Sequence, residues 1–162
     1  MVCVVICSHD VEKTGSFLKS SMVNSIGFYI AYEDGEHIAS HKWNIKVRFP
    51  TFHMLVNDVP TVVDFEHVER TMPKNYSEYK VADYGDFEPR CWDEFWSKLD
   101  FAIVAAARAN AVEPEQAWRE IATMLDELET THEKVKFLTD NPSFDTAAVD
   151  YALEVYTGRA PM

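Results

Sequence analysis

Residues 2–8, VCVVICS, form a short apolar run rich in Val and Ile. A run of that length predicts a strand buried on both faces, near the centre of a sheet. A loop over residues 15–24 follows, and residues 25–32, with IGFYIAY at their core, predict a second strand. Asp34-Gly35 comes next, a pair that tolerates the positive φ of a tight hairpin. Residues 37–47 alternate, with Ile38, Trp43 and Ile45 prominent, and predict the returning strand. The opening segment therefore reads as a three-stranded meander.

Residues 48–88 give a weaker pattern. They hold Pro50, Pro60 and Pro73 and several short apolar runs, which predict an extended continuation of the third strand, then loops and a short helix. Helical spacing returns at residues 90–99, with Cys91, Phe95 and Leu99 on one stripe. Residues 101–111 are Ala-rich and helical in pattern. Pro114, at a first-turn position, opens a helix to about residue 132, with Trp118, Ile121, Ala122, Leu125 and Leu128 as its apolar stripe. Residues 135–139, VKFLT, predict another strand. Asn141 as N-cap and Pro142 in the first turn then open a last helix to about residue 156, stopped by Gly158. Strands first, then helices, then a strand and a helix make the fold class α/β.

A chain of 162 residues, 47% apolar and 13% aromatic, suits one globular domain with a real core. The net charge of −12 argues against nonspecific electrostatic grip on a nucleic-acid backbone, which needs Lys and Arg. It leaves open an enzyme that meets phosphates through bound metal ions. Between residues 110 and 133 seven acids face only Arg119, the pattern of a solvated helix face. The cysteines, Cys3, Cys7 and Cys91, are odd in number. Cys3 and Cys7 lie ~13 Å apart along a strand, too far for a disulfide. With no zinc spacing present, a reducing compartment is the expectation. No segment has the length of a membrane span, so no membrane partner is expected.

Two groups of acids break the apolar pattern. Asp10 and Glu12 stand two apart just after the first run, which in an extended chain puts them on one face, about 6–7 Å apart. Like charges that close repel unless a cation compensates, and a hard divalent ion with oxygen ligands does so. The second group is DNPSFD, residues 140–145, directly after VKFLT. Asp145 heads the row Val149, Ala152 and Tyr156 of the last helix, a core-facing stripe where an acid is unexpected. An acid at a helix N-terminus also has a purely electrostatic rationale. Asp140 and Asp150 are further acids nearby, Asp150 being off the helical face of Asp145.

SHDVEKTG after an apolar strand, the meander, and then a helix, a strand and DNPSFD resemble the DEDD superfamily of 3′–5′ exonucleases, which have a ribonuclease-H-like fold. That family ends its first strand with D-x-E and follows its fourth with N-x-x-F-D, here Asn141 to Asp145. The resemblance covers about residues 1–47 and 87–162, and the phrasing is most similar to exonuclease-like proteins of large DNA viruses. It implies a ribonuclease-H-like mixed sheet, the meander plus a parallel strand, with flanking helices. It implies that Asp10, Glu12 and Asp145 hold Mg2+ or Mn2+ and hydrolyse phosphodiester bonds at the 3′ ends of single-stranded nucleic acid. Thr14, Gly15 and Asn141 would contact the substrate, with Gly15 allowing close backbone approach. His9 and Lys13 flank the acids as bystanders.

The family's third motif, a His or Tyr base followed four or five residues later by an Asp, has no counterpart after the second motif, since no His follows His132. The expectation is therefore a fold incomplete at its C-terminal side, lacking the final strand and helix, with an apolar edge that favours self-association. The alternative is a viral binding module that holds nucleic acid or a protein without cutting; a viral origin would place either form in the host cytoplasm or nucleus. Trp92, Phe95 and Trp96 could stack bases but have the spacing of core residues. Lys42, Lys46 and Arg48 make a small basic strip on the third strand.

Overall fold

The computed structural model describes residues 4–16, 22–71 and 76–162. Val2, Cys3, loop positions 17–21 and Pro73 lie outside the described residues. The elements are β1 (Val4–Lys13), β2 (Val23–Tyr32), β3 (His37–Asn44), β4 (Thr51–Val56), β5 (Val59–Val63), α1 (Phe65–Thr71), β6 (Lys80–Asp83), α2 (Pro89–Glu94), α3 (Phe101–Arg108), α4 (Pro114–Thr131), β7 (Lys134–Leu138) and α5 (Asp145–Thr157). Two compact units result. One contains residues 1–12, 25–46 and 110–162, the other residues 13–24 and 47–109.

The first unit is α/β. Its four-stranded mixed sheet has the order β3-β2-β1-β7. β7 runs parallel to β1, in register from Val4 opposite Lys134 to Ser8 opposite Leu138. β2 and β3 form the expected antiparallel hairpin, and Gly35 supplies the positive φ of its turn. β1 is longer than its apolar run and less evenly covered. Val5, Cys7, His9 and Val11 are buried, Val4, Ile6 and Ser8 are half-buried, and Asp10 and Glu12 are exposed. An apolar run reads the same whether its second face is wholly or partly covered, so the sequence does not separate the two cases. The Cys7 thiol is free, and burial pushes it up to about 12.

Helix α4 buries Ala117, Trp118, Ile121, Ala122, Leu125 and Leu128, the stripe that the spacing predicts. Its acidic face is partly neutralised: Glu113 pairs with Lys46 at 2.6 Å, and Arg159 reaches Asp126 at 2.8 Å and Glu129 at 2.6 Å. Lys46 is thus engaged by a carboxylate. Helix α5 begins at Asp145, later than expected, because Asn141 builds a turn and does not cap. Its carbonyl accepts from the backbone N–H groups of Phe144 and Asp145, and its side-chain oxygen accepts from the Ser143 hydroxyl. Gly158 ends α5 in the left-handed conformation.

The second unit centres on an antiparallel sheet of order β5-β4-β6. Its core is aromatic: Phe52, Phe65, Tyr76, Phe87, Trp92 and Trp96 are all buried. This corrects the extended-then-loop reading of residues 48–88, which fold as a hairpin, a helix and a third strand. The β4–β5 turn is Asn57-Asp58, both at positive φ, which the right-handed strand twist favours. Pro60 sits on the edge strand β5 opposite Leu55. One face of this hairpin, with His53, Leu55 and Val62, is exposed.

The segment read as one helix over residues 90–99 is α2 followed by a 3-10 turn, Trp96–Lys98, broken at Phe95. Trp92 and Trp96 fill the core, whereas Phe95 is 46% exposed, so the buried stripe lies one position from the one the spacing suggested. Arg48 pairs with Asp86, and the Arg108 guanidinium lies 4.5 Å over the Phe65 ring while bonding Glu69 at 2.6 Å. No helix among the described residues is long and apolar enough to cross a membrane.

Candidate metal centre

Strand alternation and the β1–β7 register build the site. Asp10 lies on the face of β1 opposite the buried row of Val5, Cys7, His9 and Val11, as does Glu12 two residues on. The parallel pairing ends with Ser8 opposite Leu138, two residues before Asp10 and Asp140, and the Asp140 carboxylate lies close to that of Asp10. The turn at Asn141 then delivers Asp145 as the first residue of α5, buried to 2% exposure. The carboxylates of Asp10, Asp140 and Asp145 each offer an oxygen, and these oxygens lie within 4.8 Å of one another.

Asp145 is held by two local bonds. Its backbone N–H donates to the Asn141 carbonyl at 2.8 Å, and the Thr139 hydroxyl donates to its Oδ2 in a short hydrogen bond. Thr139 Oγ1 in turn accepts from the backbone N–H of Asn141 at 3.2 Å. The core-facing acid therefore has a donor on one oxygen, which offsets part of the cost of its burial.

Glu12 lies outside the group of three but within its field. Partial desolvation, then the negative charges of Asp10 and Asp145, push its carboxyl above the ordinary range against the opposing charge of Lys42. Lys42 lies opposite Gly27 on β3. His9, on the buried face, has its Nε2 3.3 Å from the Thr146 hydroxyl and its Nδ1 buried without a hydrogen-bond partner. Burial lowers its pKa, and the carboxylates of Asp145, Asp150 and Asp10 work in the other direction. Asp150 itself accepts from the backbone N–H of Met162 at 2.8 Å.

Of the residues singled out in the sequence, the structure brings Asp10 and Asp145 together and adds Asp140. Asn141 holds the turn between β7 and α5. Thr14 and Gly15 belong to the second unit. There Thr14 is wholly buried; its N–H donates to the Met22 carbonyl and its hydroxyl accepts from the Met22 N–H at 2.8 Å. A Cβ on Gly15 would run into the Glu88 side chain, whose carboxylate accepts from both the N–H and the hydroxyl of Ser16. Thr139 has no sequence signal of its own.

No protein-family model matches the chain, and no curated protein matches it either.

The donor set suits a hard cation. All three groups are carboxylate oxygens, the class that Mg2+ and Mn2+ take, and no thiol or imidazole belongs to the cluster. Burial first, and then the carboxylates of Asp10 and Asp145, raise the Glu12 pKa, and a bound cation would offset the second of these causes.

Proposed function

We propose that this protein is a divalent-metal-dependent phosphodiesterase of the ribonuclease-H-like exonuclease kind, acting on the 3′ ends of single-stranded nucleic acid. The observation that carries the reading is the convergence of Asp10, Asp140 and Asp145 from a strand, a turn and a helix onto one locus. Asp10, Asp140 and Asp145 would hold Mg2+ or Mn2+, with Glu12 as a further carboxylate beside them. The metal supplies Lewis-acid polarisation of a phosphoryl oxygen and a water of lowered pKa. The order of the acids along the chain and the parallel β1–β7 pair support the family resemblance. Asp140 would add a third carboxylate to those of Asp10 and Asp145.

The residues of the chain have defined tasks in this scheme. The rigid β1 backbone fixes Asp10 and Glu12. The turn at Asn141 fixes Asp140 relative to Asp145. With its local acid excess the site needs the cation before a phosphate can approach, so activity should be absent without metal.

The test is digestion of 5′-labelled single-stranded DNA and RNA oligonucleotides with Mn2+ or Mg2+. A ladder of products shortened from the 3′ end, lost in EDTA and reduced about 10²-fold or more in Asp145→Asn, supports the reading. Retention of the strand without cleavage overturns it in favour of a binding module.

A further inference from the structure

We propose that Thr139 is a positioning residue that holds Asp145 by one carboxylate oxygen and so orients the other toward a cation, an inference that rests on the metal reading above. A threonine hydroxyl has one proton, and it donates or accepts according to its neighbours. The Asn141 N–H points at Thr139 Oγ1 from 3.2 Å and has only hydrogen to offer. Thr139 Oγ1 accepts from it and donates its own proton to Asp145 Oδ2. The chain Asn141 N–H to Thr139 to Asp145 therefore runs one way.

Two consequences follow for Asp145. Its Oδ2 is occupied by the Thr139 donor, which leaves Oδ1 as the oxygen free for a cation. Its side-chain torsion is also set from outside the helix, by a residue at the end of the strand that pairs with β1. Thr139 is β-branched and stiff at χ1, so the hydroxyl has little freedom to swing away. Among the described residues it is the one whose hydroxyl bonds a member of the carboxylate cluster. Partners of this kind, one bond behind a ligand, typically change metal affinity by about 10–100-fold when removed.

The experiment compares the whole chain with Thr139→Val and Thr139→Ser. Val keeps the shape and branching and loses the hydroxyl; Ser keeps the hydroxyl. Mn2+ binding is titrated by calorimetry and by the loss of the free-ion electron paramagnetic signal, and Tm is measured in EDTA. The expected result is Mn2+ affinity weakened about 10–100-fold in Thr139→Val and restored to within about threefold in Thr139→Ser, with both variants folded. Equal Mn2+ affinity in wild type and Thr139→Val overturns the inference alone, as does a loss that Thr139→Ser fails to restore. Should Thr139→Val not fold, Thr139→Ser together with Thr139→Ala carries the same comparison. A wild-type chain that takes up no Mn2+ overturns the metal reading itself and this inference with it.

Discussion

Asp10 and Asp145 present carboxylate oxygens within 4.8 Å of each other, although one is carried by an exposed strand position and the other is buried in the first turn of a helix. Their separation is close enough for shared ligation. It also places acidic groups side by side in the metal-free protein.

Metal should therefore stabilise the fold. Mn2+ at a hundred times its Kd is expected to add about 2.7 kcal/mol to unfolding free energy. Asp145→Asn keeps the shape and removes the charge, so its Tm in EDTA should match or exceed that of wild type while its response to Mn2+ disappears. Thermal scans of both proteins with EDTA and with Mn2+ check this. A metal-induced rise that survives in Asp145→Asn places the ion elsewhere.

The raised carboxyl of Glu12 gives a pH signature of unusual sign. Its folded pKa lies above the ordinary carboxylate value, so between the two the folded state binds more protons than the unfolded chain. Stability contributed by this group consequently falls as pH rises through that window. Glu12→Gln removes the fall. Denaturant unfolding in EDTA from about pH 4 to about pH 7 should show the variant gaining on wild type toward the upper end.

His9 acts in the opposite direction. Burial keeps its ring neutral below the ordinary range, so below about pH 6.5 the unfolded chain binds the extra proton. Its contribution to stability is present above that pH and is lost as pH falls. His9→Gln keeps a polar group near the Thr146 hydroxyl and has no such slope. The difference between wild type and His9→Gln should narrow or reverse from about pH 7 to about pH 5.

In the second unit, Asp58 sits at φ 62° in a two-residue hairpin turn. Positive φ costs a side chain about 1 kcal/mol that glycine does not bear. Asp58→Gly should raise unfolding free energy by about 0.5–1 kcal/mol, read from the denaturant midpoint. A loss of stability would mean that the Asp58 side chain does more for the turn than its backbone costs.

Where the chain spelled out its pattern, physical chemistry on single residues was enough. The α4 stripe emerged residue for residue, because a long amphipathic helix repeats its period several times. The Asp10 and Glu12 spacing placed both acids on one face of β1. Asp140 was visible only as a neighbouring acid, since its place beside Asp10 depends on the β1–β7 register, a long-range pairing. Thr139 was not legible at all: its role exists only once Asp145 has folded back over it. The hairpin of the second unit was misread because Pro60 demoted a strand, while Asn57-Asp58 between alternating runs already carried a turn signal. The helix break at Phe95 shifted the buried set from Phe95 to Trp92 and Trp96, which a continuous helical period does not anticipate.

Pro60 has a further effect where it stands. In a two-residue hairpin Val56 and Val59 form the bonded pair nearest the turn, so Leu55 and Pro60 form a pair whose backbone groups point away from each other. The position lacking an N–H therefore looks outward along the border of the sheet. An incoming chain meets a missing rung there, beside the uncovered Leu55 and Val62 side chains. The proline thus guards this apolar margin against growth into a ladder of copies.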